Sequence, residues 1–498
     1  MATSAPRPAR RPAARRPSTR TPAAGGGRGP EAPATEVRDE GSHVELDGQD
    51  RCEQYRRYAE ARATGEVMSP PHLLTGQARR EHVRRTLLED HRRRIHNRPQ
   101  GAQAKFDTLA GDEFTFFRGT ALLYYRDLAG TDGHLPVVFT VGDVHPENFG
   151  VMPNSDGAPF FGVNDFDEAW AAPFSYDVKR GAVGFWLVAE RNGLGRKHRR
   201  RVVRAFVDGY LDALKAFATD DRSSTFQFRL DNSPPMIRAV IQAGVDDRAD
   251  LIRKYVDPAS GRFRPSRKRV AHSSHVAEFQ AVVDRYVADN DLGTVPRPDD
   301  FFQVLDVARK KGSGTGSMGL DRYWLLLQGW GADLDRSVVL ELKQARRSAL
   351  YGLVPRNDVA EQDAKSPQGE RIVHAQHVHL VNGDPLYGAA SVDGTSFLVR
   401  ERSPYKHEVD TARLDRDELF TYAGICGQAL AQPHARSDEE TGIMSGSAEH
   451  RILASVNPLL FGDDVVCFAE QTAARIRSDF EMFRRDRDLG AIRYWDVA

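Results

Sequence analysis

The segment that most restricts the fold is Val141-Gly-Asp-Val-His-Pro-Glu-Asn-Phe-Gly150, because apolar runs too short to be helices flank it. LPVVFTVG (135–142) reads as a buried strand, and APFFGVNDF (158–166) as a second one shortly after. Each run delivers an acid at its end: Asp143 follows the first, and Asp165 lies 22 residues beyond it near the end of the second. The chain has 498 residues, and single cores stop growing at roughly 250–300, so two lobes are expected. Lysine plus arginine balance aspartate plus glutamate at 70 each, which argues against a surface built to grip nucleic acid. Cys52, Cys426 and Cys467 are far apart and form no CxxC pair, so neither a disulfide scaffold nor a cysteine-built zinc site is expected. No apolar run approaches the roughly 18 residues that span a bilayer. A soluble, cytoplasmic chain is the expectation.

Around this core the texture changes along the chain. Residues 1–45 are rich in Pro, Ala, Gly and Arg, with seven arginines and no acid in the first thirty. This predicts a disordered tail capable of weak contacts with anions. Prolines 6, 8, 12, 17 and 22 forbid the amphipathic helix of a transit peptide. ARREHVRRTLLEDHRRRIH (78–96) predicts a helix burying Val83, Leu87, Leu88 and Ile95, with a charged, solvated outer side. Residues 182–218 read as helix broken at 192–195, residues 220–300 as mainly helical, and 411–434 and 467–484 as helix again. Between them, 300–405 reads as strand, glycine turn, strand and further strands, including HVHL (377–380). The expected organisation is therefore 1–45 tail, 46–299 mainly helical, 300–405 sheet-containing, and 406–498 helical and returning to the larger lobe.

Asp143 and Asn148 stand five apart, and N-D-F-D closes the next strand: the D-x-x-x-x-N then D-F pattern of a phosphoryl-transfer loop. The chemistry needs one carboxylate to orient a hydroxyl proton (Asp143), and an amide oxygen with a second carboxylate to hold Mg²⁺ on nucleotide phosphates (Asn148 and Asp165). As plain turn formers, aspartates at strand ends would explain the acids but not their spacing. Downstream, Gly312-Ser-Gly314-Thr-Gly316-Ser-Met-Gly319 lies between two apolar strands, so Gly312, Gly314, Gly316 and Gly319 would let backbone amides approach phosphates. A Rossmann turn would require a helix next, whereas DRYWLLLQG reads as strand. Lys343, in LELKQ on the following strand, is one of only eleven lysines and would grip phosphates. Its glutamate partner would be Glu361 or Glu370. His145 reads as a structural histidine, Arg118 as a phosphate ligand or salt-bridge partner, and His374, His377 and His379 as non-metal residues.

GDxHxxN, then DFD, then Ala171-Ala-Pro-Phe-Ser-Tyr-Asp177 resembles the aminoglycoside-phosphotransferase and choline-kinase branch of the protein-kinase-like superfamily. That resemblance implies a brace role for Asp177 beneath the catalytic loop. The glycine loop follows Asp143 by 169 residues, the reverse of the kinase order, which implies a circular permutation. FTYAGICGQALAQPHARS (420–437) resembles the helix that normally enters the catalytic loop. FTFFRG, GDVHPENFG, NDFDEAWAAPFSYDVKR, GSGTGSMG, LELKQARRS and LAQPHARS together resemble a bacterial domain of unknown function, family 2252, over residues 75–485. Gly181 and Gln432-Pro433 depart from its usual pattern, and the proline is expected to loosen its helix end. The resemblance implies an α+β, two-lobed, kinase-like and permuted fold, with ATP and Mg²⁺ as cofactors and a small hydroxyl-bearing acceptor as partner. Adenylyl transfer or a nucleotide-binding pseudokinase would use the same fold. A metallophosphoesterase would need a GDxxDRG and a GNH[ED], neither of which occurs.

Overall fold

The computed structural model describes residues 51–492, apart from 67–68, 221, 245–247, 312–318, 355–361, 363–364, 403–404, 406 and 439–441. The tail read at 1–45 lies outside the described residues. Six helices come first: α1 (Cys52–Ala63), α2 (Gly76–Asp90), α3 (Arg92–Asn97), α4 (Pro99–Leu109), α5 (Glu113–Gly119) and α6 (Ala121–Leu128). Val83 and Leu87 of α2 are buried as their spacing predicts. Glu81 and Arg85 are exposed, as a solvated outer side requires, but Arg79 is not part of that side. Arg79 is buried between Asp127 and Asp479, at 2.7 Å and 2.8 Å, and Arg80 and Arg84 both reach Asp486. A buried guanidinium needs such paired carboxylates, and here they come from 48 and 400 residues away.

Four short strands follow: β1 (Val137–Thr140), β2 (Phe149–Met152), β3 (Phe160–Val163) and β4 (Trp170–Pro173). β1 pairs antiparallel with β4, and β2 with β3. This nesting brings the β1–β2 loop (141–148) beside the β3–β4 loop (164–169); the Asn164 amide bonds the Asn148 carbonyl at 3.1 Å. Next come α7 (Ser175–Arg191) and α8 (Arg196–Asp220), broken at 192–195 as expected, and then α9 (Pro235–Ala243).

The second part contains α10 (Arg248–Tyr255), β5 (Val256–Asp257), β6 (Arg262–Phe263), β7 (Arg269–Ala271), α11 (Val276–Asp289), β8 (Val304–Lys310), β9 (Arg322–Leu327), β10 (Val338–Gln344), α12 (Gln368–His379), β11 (Gly388–Val392) and β12 (Thr395–Glu401). Its antiparallel sheet has the order β11-β12-β10-β9-β8-β7. Successive side chains alternate between faces. Val307, Leu325, Leu340 and Leu342 therefore pack on Phe279 and Val283 of α11, while Ala308, Trp324, Leu326 and Val339 pack on Ile252, Val256 and Phe263. The packing of this lobe thus draws in residues ahead of 300. HVHL is not a strand: His377 and His379 end α12, which buries Ile372, Ala375, Gln376 and His379 at helical spacing. Two polar side chains in that stripe hide its period from a hydrophobicity reading.

The chain closes with α13 (Arg416–Ala435), α14 (Ala448–Ser455) and α15 (Pro458–Asp488). Pro433 does not end α13. The Gln432 amide binds the Ser223 and Phe226 carbonyls, and the Ser437 hydroxyl donates to Pro433 O at 3.2 Å, so neighbours secure this end. The result is an α+β chain of many helices and small antiparallel sheets. Among the described residues no single helix is long and apolar enough to cross a membrane.

α13 and α8 approach through glycines: a Cβ on Gly427 would lie 2.0 Å from Phe206 O, and one on Gly209 would lie 2.2 Å from Gly424 O. Alanine normally favours a helix over glycine by about 1 kcal/mol. Gly427→Ala is expected to reverse that sign and cost about 3 kcal/mol, since backbone cannot rotate away. A thermal melt tests this; a raised midpoint would contradict the contact.

Candidate active site

β1 runs into Gly142 (φ 69°) and Asp143 (φ 48°), both left-handed. Gly142 is required twice over, because a Cβ there would also strike Glu168 O at 2.2 Å. Asp143 holds a conformation rare for a side-chain-bearing residue, which the surroundings must enforce. The enforcement is visible. The Asp143 amide donates to the Tyr125 hydroxyl at 2.8 Å. The fully buried Asp177 carboxylate accepts the Val141 and Gly142 amides at 2.7 Å and 3.1 Å, and its other neighbour, His434, stands at 3.1 Å with Tyr210 behind it. Asp177, the first acid of α7, thus braces the turn from below.

The Asp143 carboxyl meets Arg180, whose Nε lies 2.7 Å from Oδ1. Arg180 is itself fully buried, with the rings of Phe117, Tyr124 and Tyr125 at 4.2, 4.7 and 5.4 Å. Burial pushes Asp143 up to about 6; Arg180 opposes this, while Glu168 and Asp165 add to it. Asn148 donates its amide nitrogen to the Asp143 carbonyl at 2.9 Å. Its amide oxygen therefore points away from that bond and has no protein donor among the described residues.

Lys343, nearly buried on β10, reaches this loop pair from the sheet. Its ammonium pairs with Asp167 and lies 3.6 Å from Asp165. Asp165, Asp167 and Lys343 therefore share one cleft although they are remote in sequence. Burial and the neighbouring Asp165 push Asp167 up, against the pull of Lys343. Arg371 of α12 donates to the Ala169 and Asp167 carbonyls at 2.7 Å and 2.8 Å. Arg346 binds Glu168 at 2.7 Å, so two cations from the sheet lobe fasten this acidic turn. Glu370 sits on the first turn of α12, and Glu361 lies outside the described residues; the ion pairs of Lys343 run to the two aspartates instead.

The strands flanking the glycine segment, β8 and β9, are antiparallel neighbours. Gly312, Gly314 and Gly316 lie outside the described residues. Gly319 is left-handed (φ 83°), and its Cα would stand 3.2 Å from a Cβ on Gly101 of α4.

His145 is buried, with its ring nitrogens 3.2 Å from the Arg118 Nε and the Glu147 amide, and burial pushes it well below its ordinary value. Arg118 also pairs with Glu147, the salt-bridge arrangement. His379 stacks on Phe166 of the D-F-D turn at 5.5 Å, and burial holds it neutral, with a pKa of about 3. Among the described residues no three His, Cys, Asp or Glu side chains converge as a metal cage. The donors present, the Asn148 amide oxygen and the Asp165 carboxylate, are hard oxygens. They suit a cation such as Mg²⁺, which binds one or two protein groups and takes its other ligands from water and phosphate.

Sequence reasoning missed Arg180, Tyr125 and Asp167 as members of the site. Arg180 was visible only as part of a Lys-Arg pair at the start of a helix, and nothing local signals that it turns inward to Asp143. Between the sheet and the β2–β3 hairpin lies a small cavity of about 60 Å³, lined by Val151, Asn164, Phe166, Glu341, Arg400 and Arg402 among others.

No curated protein and no solved structure matches the chain. The family model described as "Uncharacterized protein conserved in bacteria (DUF2252)" matches residues 96–486. The chain therefore belongs to the DUF2252 family.

Proposed function

We propose that this cleft is the active site of an ATP- and Mg²⁺-dependent phosphotransferase of kinase-like, circularly permuted fold, acting on a hydroxyl-bearing small molecule. The observation that carries the reading is the meeting of Lys343 with Asp165 and Asp167, beside the Asp143–Asn148 loop. A lysine on the third strand of a glycine-hairpin lobe, opposite a metal-binding aspartate, is the arrangement phosphoryl transfer uses. Permutation is supported at the end of α13, where the Ser437 hydroxyl accepts the Phe139 amide at 2.9 Å. The helix that should lead into β1 ends against it.

In this reading Asp143 accepts, or orients, the proton of the attacking hydroxyl through the carboxylate that Arg180 holds in place. Asn148 and Asp165 would hold Mg²⁺, whose chemistry when bound would be to neutralise charge on phosphate oxygens. Lys343 would exchange part of its contact with Asp167 for phosphate oxygens. The assay is Mg²⁺-dependent ATP hydrolysis, with water standing in for the acceptor.

Because burial raises Asp143 to about 6 and the acting form is the carboxylate, kcat/KM is expected to be level above pH 7. It should fall about tenfold per pH unit well below 6. A profile flat down to pH 4.5 would remove Asp143 from the proton-handling role.

A further inference from the structure

The cleft-facing side of the sheet carries more positive charge than its acids can pair. Glu341 and Arg400 stand opposite each other on β10 and β12, and Glu341 and Trp324 on β10 and β9. Glu341 is buried and accepts the Trp324 indole N–H at 3.0 Å; Arg400 lies at 3.2 Å and Arg322 at 3.5 Å. One carboxylate thus serves two guanidinium groups already.

Two further cations have no ion-pair partner among the described residues. Arg402 lines the small cavity beside the β2–β3 hairpin, its Nε is buried without an acceptor among the described residues, and its guanidinium rests 5.4 Å from the Trp324 ring. Lys310 rests 4.2 Å from the same ring and makes no ion pair or hydrogen bond among the described residues. Desolvation, with Arg269, Arg402 and Arg322 nearby, pulls Lys310 down to about 8. The remaining acids of the cavity do not offset this. Glu401 is engaged by Arg248, and Asp384 accepts the Leu386 and Glu401 amides and is pushed up to about 7 by burial and Glu401. Asp165 and Asp167 are engaged by Lys343 and also act on Arg400.

We propose that Arg402, Lys310 and Arg400, backed by Trp324, form a phosphate-binding subsite in the cleft, separate from the grip of Lys343. Desolvated cations without partners are costly in an empty protein, and guanidinium groups match the oxygens of a phosphate. Glu341 lies two residues before Lys343 on the same face of β10, so the subsite is about 7 Å from the lysine along the strand. That spacing suits either the far phosphates of a bound nucleotide or a phosphate carried by the acceptor.

The test titrates the full-length protein with inorganic pyrophosphate by calorimetry, without Mg²⁺. The wild type is expected to bind, and Arg402→Met and Lys310→Met each to weaken binding at least tenfold, whereas Lys343→Ala weakens it less. Both methionine variants should stay folded without ligand, because each loses only a contact with the Trp324 ring and no ion pair among the described residues. No binding by the wild type, unchanged binding in both methionine variants, or a loss confined to Lys343→Ala would overturn the subsite. Competition between ATP and pyrophosphate would identify the nucleotide's own phosphates as the occupant, and independent binding a phosphorylated acceptor; both support the site. A protein that binds pyrophosphate but never turns over ATP keeps this subsite and loses the phosphotransfer reading.

Discussion

Asp165→Ala is expected to cut Mg²⁺-dependent ATP turnover by roughly a thousandfold or more, the scale on which aimed electrostatic groups contribute, while the protein melts within about a degree or two of the wild type. The asymmetry follows from the packing. The Asp165 carboxylate is 42% exposed and stands 3.6 Å from Lys343, which keeps its closer partner, Asp167, when Asp165 is removed. A long pair whose carboxylate is open to solvent contributes about 1 kcal/mol or less to stability. The burial of Asp165's neighbours is untouched, so a loss of rate is a loss of chemistry. Retained nucleotide turnover in a folded Asp165→Ala protein would remove this residue from the mechanism.

Asp177→Ala should have the opposite profile. Its carboxylate is fully buried and satisfies the Val141 and Gly142 amides, with His434 as a third neighbour. Each orphaned buried donor costs about 1–3 kcal/mol, and breaking a buried network by removing one member costs about 3–5 kcal/mol. The expected loss is therefore about 4 kcal/mol, by far the largest here for a side chain that touches no substrate. Asn in its place keeps one acceptor oxygen but turns an N–H toward the second amide, so it should recover only part of the loss. Melting temperatures of the two variants decide this; an Asp177→Ala protein as stable as the wild type would show that the turn holds itself.

The parts legible in the sequence were those encoded locally. Strand ends carrying Asp143 and Asp165 declare themselves by apolar runs and spacing, and the helix break at 192–195 by its Asn and glycines. What escaped depends on partners far along the chain. Arg79 looked like solvent-facing charge until Asp127 and Asp479 folded against it. The helix of His374, His377 and His379 buries His379 against Phe166, so a polar letter occupies a core position and masks the period. Asp167 was passed over for a glutamate because the lysine's partner comes from the acidic turn itself. Pro433 failed to break its helix for the same kind of reason: Gln432 finds carbonyls more than 200 residues earlier.

The most direct test of the central claim is a thermal-shift titration with ATP, with and without Mg²⁺, on the wild type, Asp165→Ala and Lys343→Ala. Ligand at 100 times its dissociation constant adds about 2.7 kcal/mol of stability. A Mg²⁺-dependent shift in the wild type that both variants lose is the expected result, because the two residues meet across one cleft. A wild type that ATP and Mg²⁺ leave unmoved, or variants that shift as fully as the wild type, would contradict a nucleotide site built from Lys343 and Asp165.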